Sequence, residues 1–93
     1  MPNPLYIAGS NFERRCKKHL EGQGWFCIKS GGSKGLVDLC CLRAGEIWLI
    51  QCRISGAYSS SEKEQLVALA DGNGVLAYLA KKDGRQIEMV RLN

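Results

Sequence analysis

Three polar side chains, those of Asp38, Gln51 and Arg53, interrupt the otherwise apolar stretches VDLCCL and EIWLIQCRI. The connection between the stretches, Arg43-Ala44-Gly45, is short and predicts an antiparallel hairpin. Both strands carry apolar residues on both faces, which is typical of strands inside a sheet. Residues two apart on a strand share a face, so we expect Gln51 and Arg53 to project together. The sequence thus predicts an acid, an amide and a guanidinium near the ends of two neighbouring strands.

One interpretation of these residues is a metal site next to a phosphate. Mg²⁺ takes oxygen ligands and usually only one or two protein carboxylates. Asp38 and Gln51 offer two side-chain oxygens, the main-chain carbonyl of Cys52 offers a third, and Glu13, from an early helix, would complete the set or hold a coordinated water. Arg53 suits a phosphate oxygen but cannot act as a base, because its pKa exceeds ~12. The metal would therefore have to lower the pKa of the attacking water.

The other interpretation is structural. Asp38 and Arg53 would form an ion pair across the hairpin, because an acid between apolar neighbours must be paired or metal-bound if buried. Glu13 would be the N3 partner of Ser10 in an S-x-x-E capping box. The residues alone leave both interpretations open.

Composition excludes some classes of protein and only weakly favours others. The chain has 93 residues and a formal net charge of +4, which is compatible with a polyanionic partner but does not require one. No apolar run approaches the ~20 residues needed to cross a bilayer, and the N-terminus does not resemble a secretion signal. The five cysteines form no C-x-x-C pair and are expected to be buried free thiols. We therefore expect a cytoplasmic protein, or one of the host cytoplasm if the chain is viral.

The pattern of apolar residues and turns predicts a mixed sheet with helices packed on its faces. A first helix should begin at Ser10 and end at Gly22 or Gly24, and a second should run from Ser61 to about Ala70, burying Leu66, Leu69 and Ala70. The expected strands cover residues 25–29, 36–42, 46–54, 75–80 and 86–92. A glycine-rich loop, residues 30–35, follows the first strand, and a parallel crossover joins the third strand to the fourth.

This order of parts, together with the motifs N-F-E-R-R, S-G-G-S-K-G, V-D-L, L-I-Q-C-R and S-E-K-E-Q, resembles the PD-(D/E)xK nuclease superfamily. More narrowly, the chain is similar to the small Holliday junction resolvases of archaeal and phage type. The resemblance covers nearly the whole chain. It implies one domain over residues 1–93 with a restriction-endonuclease-like α-β-β-β-α-β core, a mixed central sheet flanked by helices, and an extra C-terminal strand.

By position in these motifs, Glu13 matches the family's helix acid and Asp38 its metal-binding aspartate. Gln51 stands where a second metal carboxylate is expected, and Arg53 stands at the family's lysine. The resemblance therefore implies a catalytic set of Glu13, Asp38, Gln51 and Arg53, with the Cys52 carbonyl as a further ligand. Val37 in place of the family's proline is a mild departure. The neutral Gln51 should weaken Mg²⁺ binding, and Arg53 keeps the charge of lysine but cannot be deprotonated.

The function that the resemblance implies is a Mg²⁺-dependent (or Mn²⁺-dependent) endonuclease of DNA recombination, acting on branched DNA as a homodimer away from membranes. The final hairpin, Val75 to Leu92, is one candidate dimer interface. The expected DNA-binding residues are Arg14, Arg15, Lys17, Lys18, Lys29, Ser30, Ser33, Lys34 and Gln65. Two alternatives compete with this prediction: a catalytically inactive DNA-binding module with the same fold, and a protein-interaction domain that binds no nucleic acid.

Overall fold

A computed structural model of the chain describes residues 4–30, 36–54 and 59–93, with side chains described from residue 9 onward. The elements follow in the order α1 (Pro4–Glu21), β1 (Phe26–Lys29), β2 (Leu39–Arg43), β3 (Glu46–Arg53), α2 (Ser60–Gly72), β4 (Leu76–Asp83) and β5 (Gln86–Arg91). The strands form one sheet in the order β1-β2-β3-β4-β5. The predicted mixed sheet with two helices is confirmed. Among the described helices, none is both long and apolar enough to span a membrane.

The central hairpin of the sheet forms as the sequence predicts. Ala44 and Gly45 both have positive φ, 49° and 84°, which is the conformation of a type I′ turn between tightly paired strands. β2 and β3 pair antiparallel, and β3 then pairs parallel with β4 through the α2 crossover. The hairpin therefore lies inside the sheet, and its polar residues lie where β2 begins and β3 ends.

The start of the first helix differs from the prediction. α1 begins at Pro4, where the missing proline N–H is harmless in a first turn, and Ser10 lies within the helix. The prediction of a capping box formed by Ser10 and Glu13 is therefore wrong, because Ser10 lies inside α1 and not at its start. Phe12 and Leu20 are buried in the core, whereas His19 is exposed.

The second helix also begins earlier than predicted. Its N-cap is Ser59, whose side chain accepts a hydrogen bond from the Glu62 N–H at 3.5 Å. Three successive serines made the S-x-x-E pattern ambiguous, since Ser59 and Glu62 fit it as well as Ser61 and Glu64 do. Leu66 is buried as predicted, but Leu69 is 41% exposed, and its predicted burial is wrong.

The two helices bury apolar residues on opposite faces of the sheet. The α1 face holds the larger cluster, made of Phe12, Cys16, Leu20, Trp25, Cys27, Leu39, Cys41, Ile50, Cys52 and Ala80, whereas the α2 face buries Leu66, Ala70 and Ala77. Four of the five cysteines belong to the α1 cluster, as free thiols. The Cys41 thiol donates to the Cys27 sulfur at 3.0 Å, and burial raises the pKa of both. The Cys27 and Cys41 thiols are therefore protonated at neutral pH and contribute to the core by packing.

Candidate functional site

Asp38 lies just before β2, where β2 begins and β3 ends; this row of strand ends, and not an outer strand, is the edge of the sheet meant below. Its main-chain carbonyl accepts a hydrogen bond from the Ser30 N–H at 3.0 Å, and its own N–H donates to the Ile50 carbonyl at 2.9 Å. Its carboxylate oxygen Oδ2 accepts from the main-chain N–H of Cys52 at 2.8 Å. A side-chain carboxylate thus satisfies a strand N–H at this point, which fixes its position relative to both neighbouring strands.

Arg53 binds Asp38 directly, as the structural interpretation predicted. Its Nη1 donates to Asp38 Oδ2 at 3.2 Å and to the Cys52 carbonyl at 2.8 Å, and its Nη2 donates to Glu62 Oε2 at 2.8 Å. The side chain of Asp38 is 13% exposed and that of Arg53 is 29% exposed. The guanidinium therefore links the end of β3 to both β2 and α2.

Glu62 is a member of this network that the sequence analysis missed. It reaches Arg53 because the helix begins at Ser59, which puts Glu62 in the first turn beside the end of β3. The S-x-x-E pattern starting at Ser59 contained the signal, since it would have placed an acid at N3. Gln65, predicted as a DNA-binding residue, is exposed and donates to Ser61 Oγ at 3.2 Å.

Glu13 approaches the same edge from α1. Lys29 Nζ lies 3.7 Å from Glu13 Oε2 and donates to Ser10 Oγ at 3.5 Å. Burial, and then the nearby negative charge of Asp38, raise the pKa of the Glu13 carboxyl, and Lys29 only partly offsets them. The structure therefore brings the two predicted acids together.

Gln51 is the most deeply buried polar residue near this edge. Its side chain is 1% exposed, and its Oε1 has no hydrogen-bond partner among the described residues. Because the Cys52 side chain packs in the α1 cluster, strand alternation places Gln51 and Arg53 on the α2 face. An unsatisfied buried acceptor costs about 1–3 kcal/mol. A cation or a water donor would remove this cost.

Glu13, Asp38 and Gln51 carry the oxygen ligands that a divalent cation binds, and two of the three are charged. Within the described part of the chain, no three His, Cys, Asp or Glu side chains converge as a cage. Glu13 and Asp38 supply two neighbouring carboxylates, and Gln51, which lies on the α2 face between the two β3 residues that hydrogen-bond Asp38, carries an unpartnered amide oxygen. Oxygen ligands of these kinds are the ones that Mg²⁺ prefers. The Cys52 carbonyl, predicted as a further ligand, already accepts from Arg53 and has one lone pair left.

The predicted DNA-binding residues lie in several places. Ser30 contacts Asp38 through its main chain, and Arg14 is exposed and donates to Asn11. Arg15 and Lys18 lie together on a different side of α1, and Lys17 is half-buried. Ser33 and Lys34 lie outside the described residues.

The α-β-β-β-α-β order, the helix acid beside Asp38 and the Q-x-R end of β3 together define a nuclease fold of the PD-(D/E)xK type. A model of the archaeal Holliday junction resolvase (Hjc) family matches residues 5–93. The chain belongs to this family.

Individual relatives agree with the family match. The chain is 41% identical over 81 residues to a crossover junction endodeoxyribonuclease Hjc from Methanocaldococcus jannaschii; the match covers 83% of this chain and 60% of the relative. The chain therefore spans less than two thirds of that relative's length. The structure of Archaeoglobus fulgidus Hjc, a Holliday junction resolvase, superposes with a TM-score of 0.77 at 27% identity, covering 91% of this chain and 73% of that one. Nucleases of this family are generally metal-dependent.

The raised pKa of Glu13 predicts that this residue lowers stability at neutral pH. The folded protein holds the Glu13 proton more tightly than the unfolded chain does, so stability falls as the pH rises from 4.5 through the raised value. Glu13→Gln should therefore raise the midpoint of thermal unfolding at neutral pH in EDTA, and the gain should disappear below pH 4.5. The control is Glu21→Gln, an exposed position on the same helix, which should leave the midpoint unchanged. A lower midpoint for Glu13→Gln at neutral pH would contradict this account of the site.

Proposed function

We propose that this chain is a metal-dependent endonuclease that cleaves phosphodiester bonds in branched DNA, as a Holliday junction resolvase. The observation that carries the proposal is the convergence of Glu13 and Asp38 where β2 begins and β3 ends. Gln51, whose buried amide oxygen has no partner among the described residues, lies between the two β3 residues that hydrogen-bond Asp38. Membership of the Hjc family and the net charge of +4 support it.

In this proposal Asp38, Gln51 and Glu13 would hold Mg²⁺ or Mn²⁺, and the remaining lone pair of the Cys52 carbonyl would be a further ligand. The ion supplies Lewis-acid stabilisation of the phosphate and lowers the pKa of bound water. Asp38 uses Oδ2 for the Cys52 N–H and for Arg53, which leaves its other oxygen for the ion. Glu13, beside Lys29, would complete the ligand set or hold a coordinated water.

The contacts of Arg53 favour a positioning role over the direct phosphate contact that the sequence predicted. The guanidinium holds the Asp38 carboxylate and the Cys52 carbonyl while it is itself held by Glu62. We assign the contact with the scissile phosphate to Lys29 instead, because its side chain is one-third exposed beside Glu13. Ser30 lies next to it, at the end of β1.

The direct test is cleavage of a labelled four-way junction, with a linear duplex of the same sequence as comparison. Wild-type protein should make paired nicks near the branch point in Mg²⁺ or Mn²⁺. Asp38→Asn should fold and bind the junction but not cut it, because asparagine still accepts from the Cys52 N–H yet lacks the charge that holds the ion. Circular dichroism of both proteins would verify the fold.

One other function has a specific observation in its favour. Gln51 is neutral and Arg53 is engaged by two acids, so the chain could be a catalytically inactive DNA-binding module with the nuclease fold. Junction binding without cleavage in either metal would establish that alternative. If wild-type protein shows no salt-dependent DNA binding at all, both proposals fail.

We further propose that the protein acts as a homodimer, because two strands must be cut symmetrically. The final hairpin is a poor candidate for the interface, since its apolar residues pack within the chain. A better candidate is the α2-side surface of β1 and β2, where Phe26, Ile28 and Leu42 are 65%, 51% and 38% exposed. Phe26 lies directly opposite Leu42 in the register, and both alternate with core residues. A second copy of the chain would cover this patch.

The dimer proposal predicts that a charge in this patch produces monomers. Phe26→Glu should halve the mass measured by light scattering, while cleavage of both strands at one junction becomes uncoupled. Lys82→Glu, at an exposed position on β4, is the control and should remain dimeric. A wild-type protein that is monomeric at the concentrations used for cleavage would refute the dimer.

The reduced thiols of the core also lead us to propose a cytoplasmic location.

A further inference from the structure

A second basic site lies outside the Glu13–Asp38 centre. A pocket of about 540 Å³ opens between α1 and the turn that joins β4 to β5. Its lining consists of Arg15, Lys18, His19, Arg85, Gln86 and Ile87. The α1 residues among them follow three- and four-residue spacing, so they share one stripe of the helix. The hairpin turn supplies the remaining residues, and sequence reasoning had not connected it with α1.

The pocket is positively charged without compensation. No carboxylate lines it, and among the described residues none of the ion pairs involves Arg15, Lys18 or Arg85. Arg15 is fixed by its Nη2, which donates to the Arg85 main-chain carbonyl at 2.9 Å. Cations held together without acids repel one another, and a bound anion relieves that repulsion. The free volume and the sign of the charge therefore indicate an anion site.

The pocket also lies at the same edge of the sheet as Asp38. β3 and β4 run parallel, and Arg53 at the end of β3 pairs with Lys81, two residues before β4 ends at Asp83. The turn after Asp83 therefore projects beyond the edge that carries Asp38. Three strand spacings separate β2 from β5, which is about 14 Å.

We propose that the pocket of Arg15, Lys18, His19 and Arg85 binds backbone phosphates of a duplex arm of the DNA substrate, outside the Glu13–Asp38 centre. The proposal rests on the proposed function. Guanidinium groups bind phosphate oxygens in bidentate fashion, and such contacts fix the register of the duplex without reading its sequence. The pocket would thus hold the arm while the Glu13–Asp38 centre acts on the strand.

The test compares Arg85→Ala and Lys18→Ala with Arg91→Ala, each in the Asp38→Asn background so that the junction stays intact. Arg85→Ala keeps the main-chain carbonyl that Arg15 uses, so the fold of the turn is preserved. Arg91 is the last residue of β5, the strand that follows the Arg85 turn, and lies at the opposite end of that strand, which makes it a control for the loss of one charge. Junction affinity is measured across a range of salt concentrations.

Each pocket variant should weaken binding about 5- to 10-fold at moderate salt and reduce the log–log salt slope by about one, as expected for one lost phosphate contact. Arg91→Ala should change neither. Phosphate ethylation should interfere with binding at discrete positions on one duplex arm, and Arg85→Ala should abolish that interference.

The outcomes separate this inference from the function on which it rests. If the wild-type chain cleaves junctions while Arg85→Ala and Lys18→Ala match Arg91→Ala in slope and affinity, the pocket has no phosphate role and the inference is overturned. If the chain with all pocket residues intact binds no DNA, the proposed function fails first. If the slope of log affinity against log salt concentration decreases equally in all three variants, a specific site is also refuted, because the decrease then reflects net charge alone.

Discussion

The hydrogen bond from the Cys52 N–H to the Asp38 carboxylate is the constraint on which the candidate site depends. At this point β2 and β3 separate, and a side chain takes the place of a ladder acceptor. The same oxygen receives Arg53, which in turn contacts Glu62 on α2. On the other side, Asp38 repels Glu13 on α1. One carboxylate therefore interacts with two strands and both helices, and its geometry is fixed by the fold before any ligand binds.

The order of the strands was predictable because local chemistry determined it. Ala44-Gly45 specifies a tight hairpin, and the apolar runs on both sides indicate strands buried on both faces. Helix starts were less predictable, because S-x-x-E occurs at Ser59 as well as at Ser61, and helical residues precede Ser10. The proximity of Glu13 to Asp38, and of Arg53 to Glu62, depends on how helices pack on the sheet. Spacing along the chain does not encode that proximity.

Several groups near the ends of β3 and β4 lie in surroundings that lower the stability of the folded protein, and a bound ligand would remove that cost. The Gln51 amide oxygen is buried without a partner among the described residues, the Glu13 carboxyl has a raised pKa, and Arg15 and Arg85 line a pocket without acids. Groups held in unfavourable surroundings are frequent at functional sites, because a ligand supplies the missing charge or donor. The interior on the α1 face contains four buried free thiols and packed aromatic rings.

Whether the Asp38 edge holds a divalent cation is measured most directly by Mn²⁺ binding to the metal-free protein, followed by electron paramagnetic resonance. Wild-type protein should bind Mn²⁺ saturably. Asp38→Asn should weaken binding about tenfold or more, a loss of at least ~1.4 kcal/mol, and Gln51→Glu should strengthen it by adding a charge to the buried oxygen ligand. Equal binding by all three folded proteins would contradict a metal site at Asp38 and Gln51, and with it the nuclease mechanism proposed for this chain.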